Sequence, residues 1–249
     1  MTESAPKQPF SDGLDGCLPS QLDAHCHIQE SAFDPDRDTV LARAREKGIV
    51  RFWSDSCVES DWSKLERLVE QYGAGTIRPG FGIHPWFANQ TADGWESRLE
   101  AQLGRFPLAA VAEIGLDRFR TRQVPWNVQI PVFQTQLSLA ARLNRPATIH
   151  CVRAWDVMAP ILKQVRPRNP IVFHAFGGTK ELTSQLLNLC DCRFSFSTAR
   201  LHSGNPNVQN VYRFLLEQRP DRVLYESDAP FMPLIKGTRN ESAFCRGGE

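Results

Sequence analysis

The sequence predicts an α/β fold, a TIM-like (β/α)8 barrel, on three observations. Short β-rich runs alternate with helical stretches from Gln21 onward, as the βαβ units of a parallel sheet require. Eight such runs occur, with seven helical stretches between them. The chain has 249 residues, the length of one barrel of this kind, about 250 residues. No linker, short-period repeat or low-complexity tract separates the units, so one domain is expected over residues 20–249.

The first strand is expected over residues 21–27, followed by a helix over 36–47 that Gly48 stops. The run IVRFWSD gives the second strand over 49–55, and the helix over 60–72 ends at Gly73. Strand three is IRPGFGIH, 77–84, with a helix near 94–103. Strand four is LAAVAEIG, 108–115, followed by a long helix over 127–143. Strands five, six and seven fall at 146–151, 170–176 and 192–197, with helices at 155–164, 180–189 and 208–217. Strand eight, RVLYESD, covers 222–228. The tail beyond it, LIKGTRNESAFCRGGE, is polar and has no helical period, so the barrel is expected to lack its final C-terminal helix. Alternation then points Arg222, Leu224, Glu226 and Asp228 into the barrel, and leaves an uncovered outward patch around Val223 and Tyr225.

Composition narrows the class of function. Hydrophobic residues make up 41% and charged residues 23%, a globular balance. No run of 18 apolar residues exists, so no membrane span is expected. Residues 1–19 are rich in Ser, Pro and Gly and lack the apolar centre of a secretory signal. They read as a flexible N-terminal extension. The seven cysteines are scattered and odd in number, which argues against a disulfide framework and for a reducing, cytoplasmic setting. Cys190 and Cys192 lack a second pair at zinc-finger spacing. A net charge of +1 argues against a protein that coats a duplex, and leaves room for a small site that takes one strand end. No obligate protein partner is evident.

The chemistry gathers at strand ends. His25 and His27 close strand one, His84 strand three, Glu113 strand four and His150 strand five. His174 lies near the end of strand six, and Asp228 closes strand eight. Barrel active sites are assembled at this C-terminal face from several strands. In His25-Cys26-His27 the two imidazoles can enter the barrel mouth while Cys26 points to the helix layer. Asp23 would share the imidazole face as a supporting group. His25, His27, His150 and His174 with Glu113 and Asp228 exceed what one tetrahedral ion needs. They suit two divalent ions, zinc, manganese or magnesium, about 3.5–4 Å apart and sharing a carboxylate. Buried, hydrogen-bonded core residues would be the plainer account, but six potential ligands at one rim speak against it.

Other groups near the rim are candidates for substrate. His84, in FGIHPWF, could meet a phosphate or could simply pack beside Pro85. Arg118, Arg120, Arg153 and Lys180 follow strand ends and could hold phosphate oxygens. Trp86, Phe119 and Trp155 could stack on a base or serve packing. His202 sits in a Gly- and Asn-containing loop and is expected to be solvated.

Six stretches together resemble the TatD family of metal-dependent deoxyribonucleases. They are D-A-H-C-H at Asp23–His27, G-I-H-P at Gly82–Pro85 and E-I-G-L-D at Glu113–Asp117, then I-H-C at Ile149–Cys151, H-A-F-G-G at His174–Gly178 and E-S-D-A-P at Glu226–Pro230. The resemblance implies that His25 and His27 bind a first ion, that Glu113 bridges two ions, and that His150 and His174 bind the second. It implies that Asp228 binds the first ion and orients or deprotonates the attacking water, and that His84 sits beside the phosphate. The implied activity is hydrolysis of DNA phosphodiesters, as a 3′→5′ exonuclease on a single strand or a 3′ end. The family usually has Arg where this chain has Val152 and Ser where it has Gly177; Arg153 is the candidate in place of the former. Two other readings share the motifs: a hydrolase of another ester or amide, such as an aminoacyl ester or lactone, or a non-catalytic remnant.

Overall fold

The computed structural model describes residues 18–245. Its strands are β1 (Leu22–Cys26), β2 (Arg51–Asp55), β3 (Ile77–Phe81), β4 (Ala110–Asp117), β5 (Ala147–Val152), β6 (Ile171–Phe173), β7 (Cys192–Ser197) and β8 (Val223–Glu226). The helices are α1 (Arg37–Glu46), α2 (Glu59–Tyr72), α3 (Trp95–Arg105), α4 (Trp126–Leu143), α5 (Trp155–Val165), α6 (Lys180–Leu189), α7 (Thr198–Leu201) and α8 (Pro206–Gln218). All neighbouring strands pair in parallel, in the order β1 to β8. Backbone bonds from His27 N to Ala229 O (2.7 Å) and from Asp228 N to His25 O (3.0 Å) fasten the segment just after β8 to the end of β1. The expected barrel is therefore present. Residues 1–17 of the expected N-terminal extension lie outside the described residues.

Two apolar layers hold it together. Leu22, Ala24, Trp53, Val172 and Leu224 fill the inside, where the Arg78 guanidinium stacks on Trp53. A larger cluster, including Cys26, Phe52, Phe81, Leu137, Phe173 and Phe194, joins the sheet to the helices. Strands covered on both faces explain the nearly unbroken apolar runs in the sequence. Gly115 is needed where β4 passes β5: its φ is +151°, and a Cβ there would collide with the backbone of His150.

Two expectations are corrected. Asp23 does not share the face of His25 and His27. The β1–β2 register shifts between Asp23 and Cys26, so simple alternation fails there. Asp23 instead accepts from Ser227 N (2.8 Å) and Ser227 Oγ (2.5 Å), and burial lifts its pKa to about 6.

The second correction concerns the end of the barrel. No α-helix follows β8 among the described residues, but the patch around Val223 is not bare. Val223 is buried, and Cys245 is buried in the same apolar cluster. A 3₁₀ turn, Ser242–Phe244, lies against α1, and Thr198 Oγ1 donates to the carbonyls of Phe244 (2.7 Å) and Cys245 (3.1 Å). Tyr225 shares a hydroxyl–hydroxyl bond of 2.8 Å with Tyr212. An irregular tail can cover a strand with a few anchored residues, and such cover leaves no periodic pattern to read.

Candidate metal centre

The strand ends carry their polar groups into one cavity of about 510 Å³. His27, His84, Glu113, His150, His174 and Asp228 line it, and His25 lies fully buried beside them. Glu113 is the shared element. Its Oε2 lies 3.4 Å from His25 Nε2 and 3.5 Å from His27 Nε2. Its Oε1 lies 2.8 Å from His174 Nε2, 3.1 Å from His150 Nδ1 and 3.3 Å from His84 Nε2. Asp228 Oδ1 completes the first group, 3.6 Å from His25 Nε2 and 3.4 Å from His27 Nε2. The ligand atoms of His25, His27 and Asp228 lie within 4.8 Å of one another, as do those of His84, Glu113 and His150 and those of His25, Glu113 and His174.

Groups behind the ligands fix which nitrogen each imidazole offers. His25 Nδ1 meets Asp55 Oδ2 at 2.8 Å, and His27 Nδ1 meets the Asp55 carbonyl at 2.7 Å. Both histidines thus donate from Nδ1 and turn the Nε2 lone pair toward the cavity. His150 is reversed: Nε2 faces Asp117 Oδ2 at 3.3 Å, leaving Nδ1 for the centre. Glu226 holds the turn after β6, taking the Ala175 N–H at 2.8 Å and the Ser195 hydroxyl. His25 Nε2 is buried without a hydrogen-bond partner. An unsatisfied lone pair in such a place is costly unless a cation meets it, so the donor set fits divalent ions.

The electrostatics agree. Burial opposes charge on Glu113, but His174 and His25 outweigh it and hold the carboxyl well below its usual range. Burial would likewise lower His174, yet Glu113 lifts it to about 9. Asp228 is held low by His25 and His27 against burial, so it is ionised at neutral pH. His84 differs: burial brings it down to about 4. Its Nδ1 accepts from Trp86 N at 3.2 Å, so the neutral ring carries its proton on Nε2, facing the cavity.

The rim groups divide. Trp86 lines the cavity, with Nε1 donating to Asp117 (2.6 Å) and the Arg120 guanidinium 3.7 Å above its ring. Arg118 Nη2 donates to both carboxylate oxygens of Asp156, each at 2.6 Å. Arg153 is exposed and stands 5.0 Å over the Phe119 ring, outside the residues that line the cavity. Lys180 faces Phe214, Trp155 packs on Phe173 and Phe176, and His202 is exposed with Nδ1 2.9 Å from Thr198 O. Sequence reasoning missed Asp55, Cys57 and Phe231, and it pointed Glu226 into the barrel without giving it a role. Asp55 and Glu226 are strand-end carboxylates that the rule applied to Glu113 would have found. Cys57 lies just past β2, with Sγ 3.8 Å from His27 Nδ1, and Phe231 stands 5.4 Å from the His27 ring; neither has a periodic signal.

A parallel barrel with histidines and carboxylates converging at its C-terminal rim defines the metal-dependent hydrolase barrels. Within that class, the chain belongs to the family described as TatD related DNase, whose family model matches residues 22–247. It is 28% identical to the 3′-5′ ssDNA/RNA exonuclease TatD of Pantoea ananatis, over 90% of this chain and 86% of the relative. It is 28% identical to an uncharacterized metal-dependent hydrolase of Methanocaldococcus jannaschii, over 88% of this chain and 82% of the relative. The crystal structure of the TatD homolog YJJV from Escherichia coli superposes with a TM-score of 0.81 at 26% identity, covering 92% of this chain and 87% of that one. No helix among the described residues is long and apolar enough to cross a membrane.

Proposed function

We propose that this chain is a metal-dependent deoxyribonuclease that removes nucleotides from the 3′ end of single-stranded DNA with two divalent ions. The observation that carries the reading is the division of Glu113, Oε2 toward His25 and His27, Oε1 toward His150 and His174. That division would let one carboxylate serve two ions, the first held by His25, His27 and Asp228 and the second by His150 and His174. Bound there, such ions acidify water and neutralise charge developing on phosphate oxygens.

The chain's own residues do the rest. Asp228, ionised and at the cavity wall, accepts the proton of the attacking water. His84 offers its Nε2–H to a phosphate oxygen, and being neutral it does not compete as a charged ion partner. Trp86 and Phe231, 39% and 48% exposed at the cavity, give faces on which bases stack without sequence reading. Arg153 on the outer rim meets phosphates farther along the strand. A cavity of this size takes a terminal nucleotide and not an intact duplex. The relatives named above as an exonuclease and a metal-dependent hydrolase support the same reading. The test is elemental analysis of purified protein, coupled to cleavage of 5′-labelled single-stranded DNA with and without chelator. Stepwise shortening from the 3′ end that stops with chelator is expected. Protein that takes up no zinc or manganese, or leaves the strand intact, overturns the reading.

A further inference from the structure

We propose that Arg200 is the residue that grips the scissile phosphate, and that position 177 is glycine to admit its guanidinium. The inference rests on the nuclease reading above and deepens it. No Lys or Arg lines the main cavity, although a phosphodiester is an anion. A smaller cavity of about 130 Å³ adjoins it, sharing His150, His174 and Asp228, and Arg200 is the one Arg or Lys in its lining.

Arg200 is delivered and aimed. It sits on α7, the short helix that follows β7 directly, and its backbone N–H is capped by Ser197 Oγ at 3.2 Å. Its Nε donates to the carbonyl of Ala175 at 3.2 Å, the residue after His174. That bond orients the guanidinium and leaves both Nη groups to reach a ligand. No carboxylate pairs with Arg200 among the described residues, whereas Arg118 at the same rim is taken by Asp156. The planar fork of an arginine matches two oxygens of one phosphate. Gly177 completes the case: a Cβ there would collide with Nη2 and come within 3.3 Å of Cζ of Arg200. Any side chain at 177 therefore displaces the guanidinium.

The probe is a 5′-fluorescein oligothymidylate with phosphorothioate at its 3′-terminal linkages, titrated by anisotropy against the metal-loaded full chain. Arg200→Ala should raise Kd at least about tenfold, the scale of one charged hydrogen-bonded contact. Arg200→Lys should recover part of the loss. Gly177→Ser, at an exposed position, should match Arg200→Ala, and the double variant should be no worse than either single one. A probe with a neutral methylphosphonate at the terminal linkage should bind both proteins more weakly, but Arg200→Ala should lose less than wild type does, because only the share of the charge that Arg200 meets is already gone; a merely structural role would give both the same loss. Unchanged affinity in Arg200→Ala, or additive losses in the double variant, overturns the assignment. Wild type that binds the probe but never cleaves DNA overturns the nuclease reading and leaves the Arg200 comparison standing; wild type that does not bind it overturns both.

Discussion

His25 Nδ1 lies 2.8 Å from Asp55 Oδ2, with both side chains shut away from solvent. The carboxylate sets the tautomer of His25 and enriches its Nε2, and the Asp55 carbonyl does the same for His27 at 2.7 Å. Partners of this kind are worth about 10–100-fold in metal affinity. Asp55→Ala is expected to weaken binding at the His25–His27 group by at least about tenfold, and Asp55→Asn, which can still accept the bond, by less. Calorimetric titration with zinc or manganese checks it; equal affinities in all three proteins would sink the idea.

Asp228 is expected to be needed for turnover beyond its share in binding. Asp228→Asn keeps the shape and removes the negative charge and the basic oxygen. Turnover at saturating metal should fall at least about a hundredfold, the scale of losing a general base. Near-normal turnover at saturating metal, still abolished by chelator, would show that another group takes the proton.

Metal uptake should release protons and strengthen as pH rises. The folded pKa of His174 stands at about 9 in the metal-free protein, above the ordinary value of 6.5, because Glu113 outweighs burial. At neutral pH the ring is therefore protonated and must lose that proton to become a ligand. Affinity should climb from pH 6 toward the His174 pKa and level off beyond it. Titrations in buffers of different ionisation enthalpy count the protons, and a release of zero at pH 7 contradicts the argument.

Much of the site was legible because barrel geometry converts a position in sequence into a position in space. A residue at a strand end must face the same mouth as the others, so His25, His27, His84, Glu113, His150, His174 and Asp228 could be gathered without any contact being seen. Alternation also placed Leu224 inside and Val223 outside correctly. It failed at Asp23, where the register shift breaks the period of two. Arg200 was illegible for another reason. It lies on a four-residue helix with no periodic pattern, and only the space beside Gly177 reveals where its guanidinium goes. The tail escaped for the same cause, since its anchors are individual hydrogen bonds and ion pairs.

Those anchors make the last prediction, that the tail stabilises the barrel through Glu241. Its carboxylate takes Arg43 Nε on Oε2 and Arg43 Nη2 on Oε1, both at 2.8 Å, and Arg239 Nη2 at 3.0 Å. Arg239 in turn clasps Asp36 at the start of α1 with two bonds of 2.7 Å. Next to it, Asn240 Nδ2 donates to Ser227 O at 2.7 Å, so the tail is tied to α1 and to the end of β8. Glu241 is 9% exposed, but the Arg43 side chain is 41% exposed, which screens the pair. Glu241→Ala should therefore cost roughly 1 kcal/mol, less than a fully buried charged bond, and lower the melting temperature by about 2–4 °C. Burial would raise the Glu241 pKa, but Arg43 and Arg239 bring it below the ordinary 4.5. A depressed folded pKa means the stabilisation is present above the unfolded value and lost as pH falls through the folded one. The gap between wild type and Glu241→Ala should hold at pH 7 and narrow as the pH is taken below the ordinary 4.5. Removing residues 240–249 should cost more than the point variant, because the outer apolar cluster that holds Val223 also loses Cys245, at about 25 cal/mol per Å². Thermal unfolding of the three proteins across that pH range decides it. If the truncated chain melts with wild type, some other segment covers β8.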